Sequence, residues 1–171
     1  MKNQFEIPFV GLKIGIHDFE FKIDKSFFAG FPYSIIDNGD LKVWMELEKK
    51  ETMLIADFEL FGTIKMDCAR CNEEMDVEIE GELTIYYTFG NKEAEDENLI
   101  VIPNESYQID VTQPIYEMIT MSIPLRPIHD EDECDEEMVK LIEKFQNQPT
   151  EEKEINKDDI DPRWSALKNL N

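Results

Sequence analysis

Positive charge is the scarcest property of this 171-residue chain. Only 17 residues are Lys or Arg, against 39 Asp or Glu, so the formal net charge at pH 7 is -22. A field of this sign repels phosphate backbones and anionic lipid headgroups and attracts basic proteins. We therefore expect a basic protein as partner and no membrane surface. Direct nucleic-acid contact is disfavoured by the net charge but stays open.

Cysteine and long apolar runs are also scarce. Three cysteines cannot all pair within one chain, and the first residues lack the apolar core of a secretory signal, so we expect a reducing, cytoplasmic location. No run approaches the roughly eighteen apolar residues that a bilayer span needs. Hydrophobic residues still make up 42% of the chain, with eleven Phe among them, which is enough for a folded core.

The common catalytic motifs are missing as well. The chain has two histidines, neither near a nucleophile elbow, and it contains no phosphate-binding loop and no dinucleotide fingerprint. The sequence therefore predicts that the chain is not an enzyme. It predicts no catalytic residues and no small-molecule substrate.

What the sequence does contain is apolar alternation with a period of two. Residues 3–23 alternate with a turn expected near His17 and Asp18, and residues 40–89 predict a meander of three antiparallel strands. The second turn of that meander falls on the stretch around Cys68 and Cys71. Gly81, inside its last strand, predicts a bulge or a close backbone approach.

Helical spacing replaces this alternation further along the chain. Thr112 is the expected N-cap of a helix that Pro124 and Pro127 end. Residues 138–145 predict a second, short amphipathic helix. Asp161 followed by Pro162 predicts the start of a third.

The predicted fold class is α+β: an antiparallel β-sheet meander, which could be strongly curved or barrel-like, with a packed helix after it and a helical C-terminal tail. Residues 1–145 are expected to form a single α+β domain. Residues 146–160 are read as an acidic linker, expected to be disordered, and residues 161–171 as a C-terminal helix.

Four side chains in two clusters are candidate metal ligands. Cys68 and Cys71 have the spacing of one half of a zinc knuckle, and His129 with Cys134 could supply the other half. The opposing interpretation is three unrelated thiols and a surface histidine with no ligand. The absence of cysteines elsewhere favours zinc, but the sequence alone leaves both open. A redox pair is disfavoured, because strand pattern and not a helix follows Cys71.

The predicted C-terminal helix carries the candidate partner-binding residues. Trp164, Leu167 and Leu170 share one face, and a helix this short is unstable unless it docks on something. Arg163 beside them, and Arg70 between the paired cysteines, are the charged candidates for contact with a partner.

Three short motifs in this order resemble the YceD-like family, the large ribosomal RNA subunit accumulation proteins. They are Cys-Ala-Arg-Cys at 68–71, Ser-Ile-Pro-Leu-Arg-Pro at 122–127 and Asp-Pro-Arg-Trp-Ser-Ala-Leu-Lys-Asn-Leu at 161–170. The resemblance spans roughly residues 40–171. The chain departs from the family in one place, since many members carry further cysteines where it offers only His129 and Cys134.

The resemblance implies a cytoplasmic, non-enzymatic ribosome-assembly factor that promotes accumulation or processing of large-subunit ribosomal RNA. Together with the acidic charge, this leads us to expect that it binds a basic ribosomal protein or another assembly factor. The alternatives are a zinc-containing factor that contacts RNA through Arg70 and Arg126, or a Cys-x-x-Cys redox protein.

Overall fold

The computed structural model describes residues 4–90, 96, 98–130 and 133–146. Contacts divide the chain into two units, Met1–Cys134 and Asp135–Asn171. The first unit is built on a five-stranded sheet in the order β2-β3-β4-β5-β6. These strands are β2 (Gly15–Ile23), β3 (Gly39–Lys49), β4 (Met53–Asp67), β5 (Glu74–Phe89) and β6 (Leu99–Ile102).

The antiparallel meander predicted for residues 40–89 is confirmed. β3 pairs with β4 from Gly39 opposite Ile64 to Lys49 opposite Leu54, and β4 pairs with β5 as far as Asp67 opposite Glu74. The apolar residues of these strands alternate with polar ones. A shift of the strand pairing by one residue would move every apolar side chain of a strand to the solvent-exposed face, so the pairing continues without interruption. The β4–β5 hairpin therefore ends at the cysteine stretch.

One face of the sheet forms the core. Its buried side chains come from alternate positions, such as Leu41, Val43 and Met45 of β3. Helix α2 (Thr112–Met121) packs on this face against β4 and β5 through Ile115, Met118 and Ile119. This is the packed helix predicted from the sequence. Its position places the segment that follows it beside the β4–β5 hairpin.

Short elements complete the first unit. Helix α1 (Lys25–Phe28) begins after Asp24, whose carboxylate accepts the Ser26 N–H. Strands β1 (Glu6–Ile7) and β7 (Ile109–Asp110) form a separate two-stranded sheet.

Four details of the predicted fold are wrong. The sheet is open and not barrel-like, since among the described residues β2 and β6 are its two edges. β6 also runs parallel to β5, so the meander ends before it. No turn occurs at His17, because His17 and Asp18 keep the alternation and β2 runs straight through them. Thr112 is the first residue of α2 and not its N-cap, which is Val111; the Asp110 carboxylate accepts the Thr112 N–H at 2.8 Å.

The described part of the second unit is helix α3 (Glu136–Gln146), the amphipathic helix predicted for residues 138–145. Asp135 accepts the Met138 N–H at 2.8 Å and thereby caps it. The predicted linker at 146–160 and the helix at 161–171 fall, but for residue 146, outside the described residues, and they stay predictions. None of the helices in the described ranges has the length and apolar character that a membrane crossing requires.

Candidate metal centre

The tip of the β4–β5 hairpin is a tight backbone turn around Cys68. The Cys68 N–H donates to the Glu73 carbonyl at 2.9 Å, and the Asn72 N–H donates to the Cys68 carbonyl at 2.9 Å. Asn72 has a φ of 64°, in the left-handed region that asparagine tolerates better than most residues. This closed turn directs both Cys68 and Cys71 into the protein, where each is almost fully buried.

The segment after α2 returns to this hairpin tip. Two prolines, Pro124 and Pro127, prevent the helix from continuing, so the chain runs on without helical hydrogen bonds. The Ala69 N–H donates to the Pro127 carbonyl at 2.7 Å, and the His129 N–H lies 3.5 Å from the Cys68 sulfur. These two contacts hold His129 beside the paired cysteines.

The ligand atoms of Cys68, Cys71, His129 and Cys134 all lie within 4.8 Å of one another. The Sγ atoms of Cys68 and Cys134 are 3.9 Å apart, and His129 Nδ1 lies 3.3 Å from Cys71 Sγ and 3.9 Å from Cys134 Sγ. A tetrahedral zinc ion would place two sulfurs about 3.8 Å apart and a sulfur and a nitrogen about 3.6 Å apart, from bonds of about 2.3 and 2.0–2.1 Å. The three pairs given above already have nearly these spacings.

The Cys68 thiol has a lowered pKa. Burial acts to raise the pKa of the Cys68 thiol, but backbone N–H groups of Cys71, His129 and Arg70 point at its sulfur and bring the pKa down to about 5. The Arg70 N–H lies 3.4 Å from that sulfur. At neutral pH Cys68 is therefore a thiolate, the form in which cysteine binds metals.

The pKa values of Cys134 and His129 are shifted by their burial and by the neighbouring cysteine sulfurs. Burial raises the pKa of the Cys134 thiol, and the neighbouring Cys68 and Cys71 sulfurs raise it further. Burial acts to lower the pKa of the His129 imidazole, but its contacts with the same two sulfurs leave that pKa raised. Ionisation of the Cys134 thiol is therefore disfavoured in this packing unless a cation supplies compensating charge, and a divalent metal would do so.

All three cysteines lie in described segments, and they form no disulfide. Strand β5 begins at Glu74, three residues after Cys71, and within the described residues no helix begins at the pair to lower a thiol pKa through its dipole. The geometry is therefore that of a closed ligand set, and not of the strand–turn–helix unit that a dithiol redox site requires.

Of the four candidate partner-binding residues, Arg70 lies within the described part of the chain. Arg70 is half-buried, and its Nη1 lies 3.8 Å from Cys134 Sγ, so its charge faces the cluster. Arg163, Trp164 and Leu167 lie outside the described residues. Sequence reasoning missed the contribution of the Pro127 carbonyl, because proline in the sequence signals a helix end and not a hydrogen bond to a distant turn.

The model of one protein family, described as "Large ribosomal RNA subunit accumulation protein YceD", matches residues 56–171. The match covers more than half of the chain and includes all four cluster residues. No curated protein and no solved structure matches the chain significantly.

Proposed function

Because the chain belongs to the YceD family of large ribosomal RNA subunit accumulation proteins, we propose that it is a cytoplasmic, non-enzymatic factor in assembly of the large ribosomal subunit. It acts by binding a basic ribosomal protein and holding it until it is placed on RNA. The accumulation of ribosomal RNA then follows from delivery of this protein, since RNA without its proteins is exposed to degradation.

The charge of the chain carries this proposal. At a formal net charge of -22, the chain repels RNA over its surface and attracts the strongly basic proteins that RNA binds. A soluble complex of acidic factor and basic protein also prevents the basic protein from binding other nucleic acids. The acidic factor would leave once RNA, with its much denser negative charge, competes for the same surface.

Affinity purification of the tagged chain from lysate, with and without ribonuclease, tests the proposal. We expect a basic large-subunit protein to be enriched and to stay bound after ribonuclease treatment. Recovery of ribosomal RNA alone, lost on ribonuclease treatment and with no ribosomal protein enriched, would contradict it. That outcome would favour the alternative in which Arg70 and Arg126 contact RNA, although Arg70 is turned toward the cysteine cluster.

The cysteine cluster supports a second, structural proposal. Three thiolates and one imidazole form the soft, four-membered ligand set that selects zinc, and it leaves no position open for a reacting water. Zinc bound by Cys68, Cys71, His129 and Cys134 would fasten the hairpin tip to the segment after α2. The centre would therefore stabilise the first unit and perform no chemistry.

Native mass spectrometry of protein purified without chelators tests the zinc proposal. We expect one zinc ion per chain, and its loss when Cys71 is replaced by Ser. A fully folded chain that carries no zinc after such a purification would contradict the proposal.

A further inference from the structure

The outer face of the five-stranded sheet, opposite α2, has an exposed tryptophan at its centre. Trp44 lies in the middle of β3 and is 42% exposed, although tryptophan is costly to leave in water. Glu20 of β2 and Glu59 of β4 lie directly opposite it on the neighbouring strands. Glu82 of β5 lies opposite Glu59 and extends the same row.

The next row of this face is acidic too. Glu46 follows Trp44 by two residues on β3, and it lies opposite Asp18 of β2 and Asp57 of β4. Trp44 and these six carboxylates are called the acidic face below. Within the described residues, none of the six forms an ion pair with a lysine or arginine. Lys22 and Lys42 lie opposite each other in the row on the other side of Trp44, and they mark the edge of the acidic face.

Two open depressions flank the indole ring. One of about 440 Å³ is lined by Trp44 with Asp18, Glu46 and Asp57, and another of about 470 Å³ is lined by Trp44 with Phe61, Glu80 and Glu82. Each therefore combines an aromatic surface with carboxylates. An arginine side chain fits such a place well, because its guanidinium group stacks on aromatic rings and pairs with carboxylates in a bidentate geometry.

The spacing of the carboxylates suits an extended segment. Asp57 and Glu59 are two residues apart on β4, as are Asp18 and Glu20 on β2, so each pair is separated by about 7 Å along its strand. Alternate side chains of an extended peptide have the same repeat of about 7 Å. A peptide lying along β3 would pass over Trp44 between two such pairs.

Charge argues against three other possible occupants of the acidic face. RNA would bring phosphates against six carboxylates, and a second copy of the chain would bring the same acidic face against its own. The sequence of residues 147–171 holds more acidic than basic residues, so charge does not favour that segment either. A basic segment is the occupant that the face attracts.

We propose that the acidic face binds an arginine-rich, extended segment of the basic protein partner. This inference rests on the proposed function and assigns it a surface. Guanidinium groups at alternate positions would pair with the successive carboxylates of one strand, Asp57 and Glu59 on β4 or Asp18 and Glu20 on β2, and one would stack on Trp44.

Isothermal titration calorimetry with a twelve-residue peptide of alternating Arg and Ser tests this surface. The wild-type chain should bind the peptide, with an affinity that falls as salt rises. In a Trp164→Phe background, Trp44 is the remaining tryptophan, since the chain has two, and its fluorescence should shift on binding. That shift places the peptide at the acidic face.

Matched charge variants separate the acidic face from the general field of the chain. Glu20→Gln with Glu59→Gln should weaken binding about tenfold, and Trp44→Leu about fivefold. The control, Glu51→Gln with Glu105→Gln, removes the same charge from exposed positions off this face. It should change affinity less than about twofold. Circular dichroism should show that all variants keep the wild-type fold.

Equal losses in the face and control variants, or no loss in either, would overturn the assignment. So would binding of a uridine oligonucleotide that the face variants abolish, or dimerisation by sedimentation velocity that they prevent. If affinity purification recovers the basic protein equally with the face variant, the surface is wrong and the proposed function stands. If wild type recovers none, the proposed function fails whatever the peptide does.

Discussion

Replacing His129 by Ala should destabilise the first unit by removing a cross-link between distant parts of the chain. His129 and Cys71 are 58 residues apart in sequence, and their ligand atoms are 3.3 Å apart in the fold. A link closing a loop of this length removes about 4 kcal/mol of conformational entropy from the unfolded chain. This value is an upper one, because Cys134 can still link the same segments in the variant and because Cys68 and Cys71 can hold zinc weakly in the unfolded state.

Thermal unfolding with and without a zinc chelator measures the effect. For a unit of this size, about 4 kcal/mol corresponds to a fall of about 10–15 °C in the melting temperature. The chelator should lower the melting temperature of wild type more than that of His129→Ala, in which Cys134 alone still links the distant segment to the paired cysteines. The variant should keep its β-sheet spectrum, since the core is apolar and lies apart from the cluster.

His17→Ala is the matched control, because His17 is the other histidine of the chain. It lies on β2, and its Nε2 is 2.8 Å from the Lys13 carbonyl, so its loss should cost about 1 kcal/mol and leave the response to chelator intact. Equal melting temperatures for wild type and His129→Ala, unaffected by chelator, would refute the cross-link.

Three further predictions concern other parts of the chain. Gly81→Ala should cost about 1–3 kcal/mol in urea unfolding, because the added Cβ would collide with the Ser122 hydroxyl, and adding Ser122→Ala should restore most of the loss. Tyr87→Phe should be neutral or stabilise by up to about 1 kcal/mol, since the buried hydroxyl has no hydrogen-bond partner among the described atoms, and a clear loss in the same assay would contradict this. Trp164→Ala should reduce recovery of the partner in affinity purification without lowering the melting temperature; a lowered melting temperature would instead mean that the tail docks on its own chain.

The sheet could be predicted from sequence because each long strand repeats one local rule. Residues such as Leu41, Val43 and Met45 alternate with charged neighbours, and that alternation holds only in an extended strand with one face buried. Gly81 predicts a bulge or a close backbone approach; the strand pairing runs through Gly81 without a bulge, and the group that lies against it is the Ser122 side chain. The parallel pairing of β6 was not predictable, because strand direction depends on the route of the chain after Phe89 and no local pattern records it.

The cluster shows a different limit of the sequence. The residue types and their spacing suggested that Cys68 and Cys71 could bind one metal ion together with His129 and Cys134. Whether the two pairs lie close together depends on where α2 packs and on the bend of the chain after it. The acidic face was missed for the opposite reason. Trp44 and Glu59 each read as ordinary outward positions, and only the strand register places them side by side.

The most direct test of the central claim is a photo-crosslink from the acidic face in living cells. A photoreactive phenylalanine analogue at position 44 should crosslink to a basic protein of the large ribosomal subunit, through a peptide rich in arginine. The same analogue at exposed position 105 should not. A crosslink from position 44 to ribosomal RNA, or equal crosslinking from both positions, would contradict the account.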